Sequence, residues 1–354
     1  MTSKKITTVL GQLGLVQVRY VSPVGRSAAR GVVGGVYQQV EQEFGVLAPS
    51  IALLSPSPSV LAASWVMLRE AMLVTHKVDR AAKEAVATTV SLANTCPWCV
   101  AVHSTMFSGL AGGATLADSP ARPLADPRLR AVTTWARDCG TSDGARLHQP
   151  ACPAAEAPEL IGTVVLFHYY NRMVNVFLTE VPLPPGAPKM ALGPVMRILG
   201  RRMRPAATRS HMPGASLELL PAASLPGDLS WASGEPGTAD AFARGCAAVD
   251  AAGSQSVPPS VRDLLMAELE NWHGEPRGPS RAWADSAVAS LPTADQPAGR
   301  LALLTALASF QVDRSVIRAF RASHPADATL VELTAWASLA AARRVATWIP
   351  LSDS

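Results

Sequence analysis

Residues 78–110 read VDRAAKEAVATTVSLANTCPWCVAVHSTMFSGL, and this stretch decides the fold class. Two apolar, alanine-rich runs with helical spacing meet at Thr95-Cys96-Pro97-Trp98-Cys99. The junction reads as a helix start. Thr95 or Asn94 supplies the cap, Pro97 suits the first turn, and the apolar run continues to Gly112-Gly113. The spacing predicts helices over 78–93 and 96–110. Cys96 and Cys99 then sit at the positive end of a helix, where unpaired N–H groups and the helix dipole favour thiolate over thiol. Steps of three and four residues place Cys96, Cys99 and His103 on one face, with the imidazole within reach of Cys99.

Outward from this stretch the same pattern persists. Strand signals are scarce, whereas Ala, Leu, Arg and Glu recur at helical spacing, so the fold is expected to be all-α. Further helices are predicted over 34–44, 58–75, 127–138 and 157–179. Residues 183–238 are dense in Pro, Gly and Ser and read as a linker, with one short helix near 190–202. The helical signal then returns and partly repeats the first half. Leu160 to Phe177 lines up with Val331 to Trp348, and Val78 to Leu92 with Val257 to Asn271. In that register Glu84 faces Asp263, Cys96-Pro97-Trp98-Cys99 faces Glu275-Pro276-Arg277-Gly278, and His103 faces Ala282. The organisation expected is a redox-active repeat over 1–182, the linker, and a degenerate repeat without thiols over 239–354, the two packing as a pseudo-dimer.

Composition excludes several classes. Of the 354 residues 48% are hydrophobic and 16% charged, enough to bury a large core and too apolar for a disordered chain. A net charge of +4 with no interleaved aromatics argues against a nucleic-acid partner. The densest basic run, Arg197, Arg201, Arg202 and Arg204, reads as solvated linker. The segment with Lys4, Lys5, Gln12 and Gln17 lacks the apolar core of a secretory signal, and no run approaches the roughly 20 apolar residues of a membrane span. A cytoplasmic location is expected. Cys139, Cys152 and Cys246 stand apart and read as inert thiols, leaving Cys96 and Cys99 as the pair.

Glu84 projects from an apolar stretch of the preceding helix. There it can order the histidine or pass a proton, partial burial holding its pKa high, or it can be an ordinary solvated residue. A cysteine pair with a nearby histidine has several meanings. A c-type haem site needs His directly after the second Cys, but Val100 is there. Structural zinc from Cys96, Cys99, His103 and Glu84 is a lesser alternative, since no second CxxC or HxxxH completes a preferred ligand set. A thioredoxin-like pair needs βαβ context, which the flanking helices deny.

Glu84, eleven intervening residues, Cys96, two residues, Cys99, three residues and His103 resemble the motif of the AhpD-like alkylhydroperoxidases of the carboxymuconolactone decarboxylase superfamily. Val36-Tyr37 through Phe44-Gly45, Pro58, Trp65, Arg69-Glu70, Val90-Ser91 and Tyr170-Asn171-Arg172 extend the likeness over about residues 34–180. The second half follows faintly. The resemblance implies an AhpD-like helical fold and a cofactor-free, metal-free thiol peroxidase that reduces organic hydroperoxides. In it Cys99 attacks the peroxide, Cys96 resolves the sulfenic acid as a disulfide, and Glu84 and His103 relay protons. It implies a dithiol donor, lipoyl or thioredoxin-like, and a homo-oligomer, here a trimer of two-repeat chains. Some members carry a histidine between the cysteines, where this chain has Pro97 and Trp98; Trp98 makes the mouth more apolar and favours organic peroxides. His168 or Tyr170 is a candidate for lining the pocket, with core packing the favoured reading. Two alternatives remain: a decarboxylase-type relative, which has no use for vicinal thiols, and a redox-sensing or scaffold protein without turnover.

Overall fold

Proline stands in the first turn of several of the helices, among them those beginning at Pro58, Pro97, Pro127, Pro236 and Pro259, where its missing N–H costs nothing. The computed structural model describes residues 14–114, 116, 124–147, 152–183 and 186–350. Lys4, Lys5, Gln12, His148, Pro184 and Pro185 lie outside them. In the first half the helices are α1 (Gly31–Phe44), α2 (Pro49–Ala52), α3 (Pro58–Leu68), α4 (Arg80–Ala93), α5 (Pro97–Leu110), α6 (Pro127–Asp138), α7 (Ser142–Leu147) and α8 (Ala157–Phe177). After α9 (Leu192–Ala207) follow α10 (Pro236–Ser256), α11 (Pro259–Asn271), α12 (Ala282–Val288), α13 (Gln296–Ala308), α14 (Arg314–Arg321) and α15 (Asp327–Ala346). Among the described residues the one strand-like feature is an isolated bridge between Val18 and Leu178, so the all-α expectation holds. No helix among them is long and apolar enough to cross a membrane.

The predicted boundaries fall close to the observed ones, and the differences have local causes. α4 begins at Arg80 because the Asp79 side chain accepts the Ala82 N–H. The 58–75 helix stops being α-helical after Leu68 and widens into a π turn over Arg69–Leu73. That turn buries Arg69 between Glu43 (2.8 Å) and Glu70 (2.7 Å). The Glu70 carboxylate in turn accepts the Gly214 N–H at 3.1 Å, tying the segment after α9 to the first half.

The core sits where the halves meet. α3 packs on α10, α8 on α15, and α10 on α15, around one apolar cluster that includes Trp65, Phe167, Phe242, Leu303 and Trp336. Close approach is purchased with glycine: at Gly253 of α10 a Cβ would stand 2.9 Å from the Trp336 Cβ. α4 lies inside the first half against α5, α6 and α8, and α9 lies across α5 and α1. Within the Pro/Gly-rich stretch, α9 therefore forms part of the packed body, longer than the short helix expected near 190–202.

Candidate active site

The site is built by the α4–α5 hairpin. Its turn is held by the Cys96 N–H, which donates to Ser91 O at 2.9 Å, and by the Asn94 N–H to Val90 O at 2.9 Å. Thr95 takes a left-handed conformation (φ 51°), so neither it nor Asn94 caps α5 as expected. Cys96 itself occupies the cap position, without a side-chain capping bond, and Pro97 opens the helix. Asn94 turns instead toward α8, donating to Asn171 Oδ1 at 3.0 Å and meeting His168 Nδ1 at 3.1 Å. Asn171 donates to Ser91 Oγ at 2.9 Å, which fixes the hairpin against α8.

The two sulfurs are 2.8 Å apart, both thiols reduced and buried, at 1% and 2% exposure. The helix-start argument for a ready thiolate does not carry over to this arrangement. Burial, and next the adjacent Cys96 thiol, push the Cys99 pKa well up, against smaller opposing contributions from Asn171 and the backbone N–H. A buried thiol needs somewhere to send its proton.

Glu84 is fully buried, which overturns both the solvated reading and the expectation of a raised pKa. Burial alone would raise it, but Arg80 and His103 together hold the carboxyl below its ordinary value. Arg80 donates from Nε (3.0 Å) and Nη2 (2.8 Å) to one oxygen. His103 Nδ1 lies 2.7 Å from the other. A carboxylate only accepts, so Nδ1 carries a proton, and Nε2 is the ring nitrogen left without a partner among the described residues. The His103 ring stands edge-on to Phe167, centroids 4.6 Å apart. Among the described residues no side-chain hydrogen bond joins His103 to Cys99; the two share one wall of a cavity.

That cavity, about 250 Å³, is lined by Cys99, His103, Glu84 and Arg80 at its polar end and otherwise mainly by apolar side chains, among them Leu47, Leu68, Met72 and Met106. Cys96 is not among the lining residues, so Cys99 is the sulfur that faces the cavity. Trp98 lines it too, its indole N–H donating to Gln17 Oε1 at 2.9 Å. α9 closes one side with Val195, Ile198, Leu199 and Met203. Tyr170 reaches the cavity while its hydroxyl donates to Ser64 O at 3.1 Å. His168 does not. It is packed against Arg172, and burial followed by that guanidinium drives its pKa well below the usual imidazole range.

Arg80, Gln17 and the α9 wall are the site residues that sequence reasoning missed. Arg80 had a visible signal, an i, i+4 spacing to Glu84. Gln17 and α9 reach the site only through tertiary contact. The three solitary cysteines are buried or half-buried, and burial raises each thiol, Cys152 to about 11 and Cys246 to about 12. Among the described residues no group of three or more His, Cys, Asp or Glu side chains is placed to hold a metal ion.

No family model matches the chain. It is similar to an alkyl hydroperoxide reductase of Mycobacterium tuberculosis, with 38% identity over 345 residues, covering 94% of this chain and 95% of the relative.

Proposed function

Because the chain belongs to the AhpD-like alkyl hydroperoxide reductase family, we propose that it is a thiol-dependent hydroperoxide reductase whose redox centre is the Cys96–Cys99 pair. One observation carries this reading. A reduced dithiol 2.8 Å apart presents Cys99, and not Cys96, to an apolar cavity that also holds a carboxylate-anchored imidazole.

The chemistry follows from the protonation states. The Cys99 proton passes to His103 Nε2, directly or through the peroxide itself, and the anionic Glu84 stabilises the imidazolium that forms. The Cys99 thiolate attacks the terminal, hydroxyl-bearing oxygen of ROOH, and the O–O bond breaks, with the electron pair leaving on the RO oxygen. Cys99 becomes a sulfenic acid, and the departing alkoxide takes the proton back from His103 to leave as ROH. Cys96 then attacks the sulfenic sulfur, giving the disulfide and water. A donor dithiol exchanges with that disulfide, restoring both thiols and leaving as its own disulfide. Glu84 in this scheme is a fixed anion and His103 the carrier, because Arg80 holds the carboxyl ionised.

The burial of both sulfurs favours a slender donor, such as a lipoyl arm, over a folded thioredoxin-like surface. We also read the halves as repeats. The helix order α3 to α8 is matched by α10 to α15, and the counterparts pack alike: α4 on α6 and α8, α11 on α13 and α15. α3 packs on α10 and α8 on α15, which is how a pseudo-twofold pairs equivalent helices. The reading is tested by following cumene and tert-butyl hydroperoxide consumption by the reduced chain with dihydrolipoamide. Many equivalents consumed per chain support it; one equivalent, then arrest, marks a redox sensor.

A further inference from the structure

The stretch between Glu180 and Glu218 contains no acidic residue, yet it carries Lys189, Arg197, Arg201, Arg202, Arg204 and Arg209. α9 lies within it and forms one wall of the Cys99 cavity. Its lining residues Val195, Ile198, Leu199 and Met203 follow helical spacing and define one face. Arg202 belongs to that face, being four residues beyond Ile198 and seven beyond Val195. Its backbone carbonyl also lies 3.9 Å from where a Cβ on Gly45 would be, and Phe44 and Val46 on either side of Gly45 line the cavity. Register and contact thus place Arg202 beside residues that line the cavity, although Arg202 is not itself one of them. It is exposed and makes no ion pair or hydrogen bond among the described residues. Arg204, about two and a half turns beyond Val195, projects from the opposite side of the helix.

An apolar cavity lined by Cys99, with an exposed, unpaired guanidinium on the helix that forms one of its walls, matches one ligand architecture. We propose that the site selects amphiphilic hydroperoxides, an apolar acyl chain ending in a carboxylate, and that Arg202 receives the carboxylate while the peroxide lies at Cys99. This specificity rests on the hydroperoxide reductase reading of the site. A guanidinium fork takes a carboxylate in a way that an ester cannot imitate.

The test compares linoleic acid hydroperoxide with its methyl ester, both below micellar concentration, using the full chain and dihydrolipoamide. The wild type should prefer the acid, and added salt should erode the preference. Arg202→Gln should lower the acid-to-ester ratio of kcat/KM about fivefold, chiefly through KM, as expected for one partly exposed ion pair. Arg204→Gln should keep the ratio. Equal use of acid and ester by the wild type, or the same loss in both variants, overturns the proposal. If no hydroperoxide is turned over, the parent reading fails on its own. Calorimetric binding of linoleate against linoleyl alcohol then still decides the role of Arg202: a preference for linoleate lost in Arg202→Gln sustains it, and equal binding removes it.

Discussion

α4 and α11 occupy the same place in the helix order of their halves, yet only one is enclosed. α4 is buried around most of its circumference, and Arg80, Lys83 and Glu84 go into the interior with it. Each is paired: Arg80 with Glu84, and Lys83 with Glu159 at 2.7 Å. α11 buries a single stripe, Val261, Leu265 and Leu269, and leaves Asp263, opposite Glu84 in the repeat register, in solvent. Packing alone preserves a helix order with one apolar stripe per helix. The proton relay proposed above uses a carboxylate withdrawn from water, and that requires a covered helix. In the first half α5, α6 and α8 supply the cover; in the second the hairpin position holds Glu275-Pro276-Arg277-Gly278 and the short helix α12.

The contrast is broken most severely at the sulfurs. Cys96→Ser should consume one equivalent of peroxide and stop, with dimedone trapping a sulfenic acid on Cys99 by mass spectrometry. Trapping on Cys96 in Cys99→Ser, with Cys96→Ser inert, would exchange the two roles.

Next comes the buried charge. Glu84→Gln strands Arg80, so we expect a loss of about 3–5 kcal/mol in urea unfolding and a fall in turnover of about a hundredfold or more. Glu84→Gln with Arg80→Met should recover much of the stability and none of the turnover. Recovery of both would make the trio a structural device only. The acid limb sharpens the same point. The Glu84 carboxyl is held below its unfolded value, so its stabilisation is complete above about pH 4.3. It fades as pH falls through the lower folded pKa, because the unfolded chain binds that proton more readily. Glu84→Gln should lose stability less steeply in that window than the wild type, with the Glu159 contribution common to both.

Smaller effects belong to the second half. Gly253→Ala drives a methyl into Trp336 and should cost about 1–3 kcal/mol by overpacking, more than the roughly 1 kcal/mol of helix propensity that alanine returns. An increase in the urea midpoint would mean that α10 and α15 slide apart freely. Asp263→Asn should change stability by no more than about 0.5 kcal/mol, as for other solvated surface positions, and leave peroxide consumption unaltered. A large loss of activity there would place chemistry in the second half.

The sequence was most readable where one local rule governs the outcome. Helix class and most boundaries followed from apolar spacing and proline at first turns. That Cys96, Cys99 and His103 come together at one helix followed from their spacing. What could not be read was the environment. That Glu84 is enclosed and ionised depends on Arg80 folding back and on three helices covering it. That Cys99 is raised rather than lowered depends on the depth of burial and the nearness of Cys96, neither of which the helix dipole argument contains. α9 was masked by its Pro and Gly content, and its role as a cavity wall arises only from contact with α5, where Gly200 brings the helices close enough that a Cβ would meet Thr105 at 2.8 Å.

The most direct test of the central claim is peroxide consumption by the fully reduced chain with dihydrolipoamide and cumene hydroperoxide, set beside Cys99→Ser. The account predicts many turnovers in the wild type and none in the variant; sustained turnover in Cys99→Ser, or a wild type that stops after one equivalent, would contradict it.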